Sequence, residues 1–322
     1  MDRSTRFRRV SQVDEFSLIA TMTSGLPAPD FVQVGLGDDA AVVGLSDSRA
    51  VICTDMLVEG RHFRRAWSSA EDVGHRVAAA NLADLVAMGA QPKALLLSIA
   101  MPAETEMGWA SDLLDGVQAE ADLVGAAVVG GDTNSIEGPL VLCVTAIGEL
   151  GDRAPVTRAG ARPGDQVALA GRQGWAAAGL TVLSRGFRSP RVLVDALRRP
   201  EVPYAEALRA AESGATAMID VSDGLLADLG HIAERSGVAI DLDSALVPVD
   251  EPLRDTAIAF TMDPLTWVLT GGEDHAMAAT FPADAPLPDG YRRIGQVSEG
   301  EPIVTVDGEE RRGAKGWVHF GP

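Results

Sequence analysis

Six places along the chain set an acidic residue where chemistry could use it. Five share one grammar, an apolar run followed by Asp or Glu with Gly, Ser or Thr: Gly37-Asp38-Asp39, Thr54-Asp55, Gly130-Gly131-Asp132, Asp220-Val221-Ser222-Asp223-Gly224 and Gly271-Gly272-Glu273-Asp274. These are read as points where a strand gives way to a turn. The sixth, Asp84, follows Asn81 by three residues in an Ala/Leu/Val-rich helical stretch, on the same helical face. Helix propensity does not explain a carboxylate there. Each acid alone has a structural explanation. Asp-Gly is a turn dipeptide, and Ser222 or Asp223 is placed to cap a helix starting at Leu225. Taken together they suggest a site, because ligands of α/β sheets bind at strand ends and glycine lets backbone N–H groups approach an anion. Converging carboxylates would repel, and a divalent cation relieves the repulsion. Hard oxygen donors without a His/Cys cluster point to Mg²⁺, with Ca²⁺ or Mn²⁺ as alternatives, rather than zinc. Mg²⁺ held by few carboxylates fills its shell with water and substrate phosphate, so an acidic site can bind an acidic nucleotide.

Familiar nucleotide motifs do not account for these residues. Neither lysine, Lys93 or Lys315, completes GxxxxGK[ST], so a P-loop is excluded. Gly35 to Ala40 formally matches GxGxxA, but two Asp in the turn would oppose a pyrophosphate, and Ala41-Val42-Val43 continues as a strand rather than a helix. EF-hand, GxSxG and HExxH patterns are absent.

The elements that must position these acids form a mixed α/β pattern. Candidate strands are Phe31–Val34, Val51–Cys53, Ala94–Ala100, Ala126–Val129 and Leu140–Ile147, with helices at Ala70–Met88, stopped by Gly89, and Ser111–Val124, stopped by Gly125. Gly151 to Asp165 is rich in Gly, Pro and Arg and reads as a domain connection. Beyond it come a strand at Gln166–Ala170, helices at Trp175–Leu183 and Tyr204–Glu212, a strand at Thr216–Val221 and a helix at Leu225–Arg235 closed by Gly237. The expected division is residues 1–150 and 151–322, which suits a chain of 322 residues. With 46% hydrophobic residues the chain is expected to fold as an ordinary globular protein. Its 27 basic and 46 acidic residues give a net charge of −19, which argues against nucleic-acid and anionic-membrane surfaces. Cys53 and Cys143 lie in separate apolar segments and read as buried thiols. The first residues lack an apolar stretch after their basic ones, and no apolar run approaches the ~20 residues of a membrane span, so a cytoplasmic protein is expected.

GLGDDAAVV (Gly35 to Val43), CTDMLVEGRHF (Cys53 to Phe63), NLADLVAMGAQP (Asn81 to Pro92), VGGDTNS (Val129 to Ser135), DVSDGLLADLGHI (Asp220 to Ile232) and LTGGEDH (Leu269 to His275) together closely resemble thiamine-monophosphate kinases, in order and spacing over nearly the whole chain. That family belongs to a wider group of ATP-using enzymes resembling aminoimidazole ribonucleotide synthetase. The segments EGRHF (Glu59 to Phe63) and KGWVHF (Lys315 to Phe320) are closer to the kinase itself. The resemblance implies an α/β (α+β) fold of two domains. The N-terminal domain would form a sheet, bind metal and ATP, and join a second copy as a homodimer. The C-terminal α/β domain would complete the nucleotide and substrate site. Carried over by position, Asp39, Thr54, Asp55, Asp84, Asp132, Asp220 and Asp223 look like the metal-binding set, with Asp84, Asp132, Asp220 and Asp223 at the chemistry. Gly131, Asp132, Arg158 and Ser222 look like ATP contacts, and His62, Glu273 and Trp317 like contacts to thiamine monophosphate. The implied reaction is direct, Mg²⁺-assisted transfer of the γ-phosphoryl group of ATP to thiamine monophosphate, giving thiamine diphosphate and ADP. The acceptor is already ionised at neutral pH, so no strong general base is required.

The chain departs from the family pattern at Cys53 (commonly Ser), Ala83 (Ser), His275 (Tyr) and Val318 (Asp). The alternatives are another ATP-dependent enzyme of the wider group, such as a synthetase or maturation ATPase, and a non-catalytic Mg-nucleotide-binding protein. Neither the early Cys and Lys that selenophosphate synthesis would want nor a Cys-containing tail is present.

Overall fold

A computed structural model describes residues 7–9, 12, 15–27, 29–34 and 42–317. Asp38 and Asp39, with the rest of the Gly35–Ala41 motif, and Val318 lie outside the described residues. The chain divides into two compact units, Met1–Leu85 with Gln91–Asp152, and Val86–Ala90 with Arg153–Pro322. Residues 86–90 join the second unit, where the N–H of Val156 donates to the carbonyl of Met88 at 3.1 Å.

The first unit contains α1 (Glu15–Met22), a two-stranded ribbon of β1 (Val32–Val34) and β2 (Val42–Val43), β3 (Val51–Val58), α2 (Ala70–Ala87), β4 (Gln91–Met101), α3 (Met107–Asp122), β5 (Ala127–Ser135) and β6 (Val141–Glu149). Strands β3, β6, β4 and β5 form a sheet in that order, antiparallel except for the parallel β4–β5 pair. Alternation of side chains gives the sheet two different faces. One face buries Leu142, Val144 and Ala146 of β6 with Leu95, Leu97 and Ile99 of β4, while α2 contributes buried Val77, Leu82 and Leu85 and α3 Leu113 and Val117. On the other, Phe31, Val32 and Val43 of the ribbon region, with Leu96 and Ile147, pack against a small core of Ala94, Ala127 and Val129. Farther along that face Ile52 and Met56 remain 62% and 54% exposed.

The second unit is built on a six-stranded sheet, ordered β12 (Val304–Val306), β9 (Ala239–Leu242), β11 (Arg292–Ser298), β7 (Gln166–Ala170), β10 (Ala276–Phe281) and β8 (Ala217–Val221). Its helices are α4 (Trp175–Ser184), α5 (Arg191–Arg198), α6 (Tyr204–Glu212), α7 (Leu225–Ser236), α8 (Glu251–Phe260) and α9 (Pro264–Thr270). A core of Val167, Leu169, Ile219, Leu225, Leu229 and Ile294 joins sheet and helices.

Two sequence expectations are corrected here. Strands β3 and β5 run past the predicted ends, so Asp55 and Asp132 lie inside strands, paired in register with Val144 and Ser98, while Asp220 lies within β8, inside the strand expected over Thr216–Val221. Pairing with a long neighbour outweighs the local turn chemistry of Thr-Asp and Gly-Asp. The helix from Leu225 is not capped by Ser222 or Asp223: its N-cap is Gly224, and Asp228 from the first turn reaches back to the N–H groups of Asp223 and Gly224, both at 3.0 Å. A carboxylate there also meets the positive end of the helix dipole.

Candidate active site

In the first unit the acids sit on two different faces of one sheet. On the helix side, Asn81 of α2 is fully buried and its Oδ1 accepts the N–H of Asp55 at 3.0 Å. The Cys53 thiol donates to the Asn81 carbonyl at 3.2 Å and lies beside the carboxylates of Asp84 and Asp55. Burial first, then those two negative charges, push the thiol well above its ordinary range. Asp55 and Asp84 are thus brought to one place, with Cys53 between them. Cys53 and Asn81 are the members of this cluster that a search for acids passes over.

Thr54 points to the other face, where its hydroxyl donates to the Val144 carbonyl at 2.9 Å and accepts from the Thr145 hydroxyl at 3.2 Å. The register row Met56–Cys143–Ser98–Asp132 puts Asp132 on that same face. Asp55 and Asp132 also stand on opposite edge strands, three inter-strand spacings or about 14 Å apart. Within this unit they do not converge. Gly131 precedes Asp132 where β5 crowds β4: a Cβ there would lie 1.9 Å from the Leu97 carbonyl oxygen. His62 sits in the turn after β3, its Nδ1 accepting the N–H of Val58 at 2.9 Å, which leaves the ring proton on Nε2.

In the second unit three segments are tied together by main-chain bonds. The N–H groups of Glu273 and Trp317 donate to the carbonyls of Ser222 and Asp223, both at 2.9 Å, and that of His275 to Val221 at 3.1 Å. The approach is so close that a Cβ on Gly272 would lie 1.9 Å from the Ser222 oxygen. Asp220, Ser222, Asp223, Glu273 and Trp317 are thereby gathered at the end of β8, with the Trp317 side chain 56% exposed. Glu273 and His275 both take positive φ values, 72° and 52°, on either side of Asp274. That strain is held from both sides. His275 Nδ1 lies 3.0 Å from Asp220 Oδ2 in a buried pair, and Asp274 accepts the N–H groups of Gly174 and Ala176, both at 2.8 Å, at the start of α4. Asp274 is therefore an anchor for the loop rather than a ligand. Burial pushes its carboxyl up to about 7 against those two bonds. Burial and the neighbouring charge of Asp220 likewise push Asp228 up to about 7.

Arg158 is not gathered with these groups. Its carbonyl accepts from Ser236 at the far end of α7, a 12-residue helix spanning about 18 Å from the Ser222–Gly224 loop.

The donors fit a hard divalent cation and a phosphorylated ligand, being carboxylate and hydroxyl oxygens, while Gly131 and Gly272 let neighbouring backbone approach closely beside them. Among the described residues no three His, Cys, Asp or Glu side chains stand ready around one metal position.

Comparison with known proteins decides the family. Residues 37–150 match the family model described as AIR synthase related protein, N-terminal domain, and residues 162–308 the corresponding C-terminal domain. A thiamine-monophosphate kinase of Mycobacterium tuberculosis is 46% identical over 319 residues, covering 99% of this chain and 95% of the relative. The chain belongs to the thiamine-monophosphate kinase family. Among solved structures, the thiamine-monophosphate kinase of Stenotrophomonas maltophilia K279a is 35% identical with a TM-score of 0.82, over 92% of this chain and 98% of that one. A structure described as AaThiL complexed with AMPPCP and TMP is 32% identical with a TM-score of 0.79, over 97% and 99%. No described helix is long and apolar enough to cross a membrane.

Proposed function

We propose that this chain phosphorylates thiamine monophosphate to thiamine diphosphate by direct transfer of the γ-phosphoryl group of ATP. The observation that carries the reading is the gathering of Asp220, Ser222, Asp223, Glu273 and Trp317 by three interlocked segments, in a chain that belongs to the thiamine-monophosphate kinase family. Asp39, Asp55, Asp84, Asp132, Asp220 and Asp223 would hold several Mg²⁺ ions, with Thr54 nearby. Bound Mg²⁺ would neutralise phosphate charge on donor and acceptor. Gly131 lets β5 pack closely on β4 just before Asp132, and Ser222 contacts ATP, whereas Arg158, at the other end of α7, is not gathered with Ser222 and is not assigned the contact its position in the motif order implied. His62, Glu273 and Trp317 hold the thiamine phosphate, Trp317 by stacking on a ring and Glu273 by bonding a nitrogen. Residues 1–150 carry the metal, ATP and dimerisation half, and residues 151–322 complete the nucleotide and substrate site.

A homodimer follows from the same reading. Asp55 and Asp132 occupy opposite edges of one sheet, so a site using both needs the β3 edge of one copy beside the β5 edge of another. The face exposing Ile52 and Met56 is the apolar surface such a dimer would cover. A cytoplasmic location, where ATP is plentiful, goes with this function.

The test is stoichiometric. Incubated with Mg-ATP and thiamine monophosphate, the protein should form thiamine diphosphate and ADP one for one. ADP with free phosphate and no thiamine diphosphate would overturn the assignment and favour a different ATPase of the wider group.

A further inference from the structure

We infer that Asn81 is a positioning residue that sets the spacing between the Asp55 and Asp84 carboxylates. The inference rests on the proposal that these two carboxylates bind metal. Asp55 is paired in register with Val144 of the neighbouring strand β6, and on the helix side its N–H donates to Asn81 Oδ1 at 3.0 Å. The amide is held from its other end, where Nδ2 donates to the Val77 carbonyl at 2.9 Å. Because only the oxygen can accept from Asp55 and only the nitrogen can donate to Val77, the amide has one orientation. The Asn81 carbonyl holds the strand a second time through the Cys53 thiol at 3.2 Å.

Two bonds from one residue thus clamp the strand on both sides of Thr54 to helix α2, and one turn later the same helical face carries Asp84. Asn81 is fully buried, so it would not itself touch substrate. The clamp prevents β3 from sliding along α2 and fixes the two carboxylates relative to one another before any ligand arrives. Groups that must share a cation work best when already placed. A side chain that only filled space or satisfied its own helix would bond Val77 and leave Asp55 alone.

The test compares Asn81→Ala with Val73→Ala, a buried apolar truncation on the same helix away from Asp84. Mn²⁺ binding in the presence of AMPPCP is read from the signal of free Mn²⁺, together with hydrogen exchange of the β3 segment and the Mg²⁺ concentration giving half-maximal turnover. Asn81→Ala should weaken Mn²⁺ binding tenfold or more, raise the Mg²⁺ requirement similarly and speed exchange across 51–58. Val73→Ala should lower the melting temperature while leaving Mn²⁺ affinity within twofold of wild type. Asn81→Ser, a smaller change that also cannot reach Asp55, serves if the alanine variant fails to fold. Mn²⁺ affinity of the Asn81 variants within twofold of Val73→Ala, in a protein whose wild type binds Mn²⁺ and makes thiamine diphosphate, overturns the positioning role and leaves the kinase reading standing. A wild type that neither binds Mn²⁺ nor makes thiamine diphosphate overturns the kinase reading and this inference with it.

Discussion

Replacing Asp274 by asparagine separates an anchoring role from a ligand role within the GGED segment. The carboxyl is buried with both oxygens on N–H groups of the α4 start, and its pKa stands near 7 against about 3.9 for a free aspartate. A group whose pKa is raised on folding supports stability fully below its unfolded value, and that support is lost as pH rises through the folded value. Between pH 5 and pH 8 the unfolded chain carries this group ionised, while the folded chain keeps it protonated until about pH 7. Stability therefore falls by about 1.4 kcal/mol per pH unit in the lower part of that window, about 2–3 kcal/mol in all. Asparagine does not titrate. It keeps one acceptor oxygen but turns an amide N–H₂ toward the second donor, a loss of about 1–3 kcal/mol at pH 5. The gap between wild type and Asp274→Asn should thus be largest at pH 5 and shrink by about 2–3 kcal/mol by pH 8. Urea unfolding in EDTA, followed by tryptophan fluorescence, measures it, since Trp175 and Trp267 are buried in the same unit. Titrating groups distant from Asp274 cancel in the difference. Parallel stability–pH curves for the two proteins would refute the reasoning, because they would mean that Asp274 ionises in the folded chain as it does in the unfolded one.

Asp84→Asn should abolish formation of thiamine diphosphate while leaving the melting temperature near wild type; full turnover in that variant removes Asp84 from the site. Gly131→Ala puts a methyl 1.9 Å from the Leu97 carbonyl oxygen, so β4 and β5 must part, at a cost of about 1–3 kcal/mol and with Asp132 displaced. Calorimetry should show Gly130→Ala to be milder, since its Cβ meets only the flexible end of Leu96 at 3.0 Å. The proposed homodimer predicts that Ile52→Glu with Met56→Glu halves the mass seen in light scattering without loss of circular dichroism, and an unchanged mass would show that the sheet face is not an interface.

The acidic segments and the helix carrying Asn81 and Asp84 were legible because each leaves a local mark: an apolar run, a turn residue, a 3.6-residue period. Their order along the chain also carried the family resemblance, since motif spacing survives without coordinates. What could not be read was whatever depends on partners distant in sequence. The lengths of β3 and β5 come from pairing with β6 and β4, so Asp55 and Asp132 moved from strand ends into strands. Residues 239–306 supply β9 to β12, α8 and α9, which the sequence reading left unassigned, because short strands in a mixed sheet have little period of their own. Asp274 stood in sequence only as one acid of the Gly271–Asp274 segment, and it is α4, about 100 residues earlier, that takes both its oxygens. Residue types and their order therefore determined the chemistry this chain can do, hard oxygen donors around phosphate. Tertiary structure alone decided which acids share a face, which stand on opposite edges and which are spent on holding the backbone. The reason is that a carboxylate's role is set by what lies within about 3 Å of it, and for these residues that is chain from elsewhere in the fold.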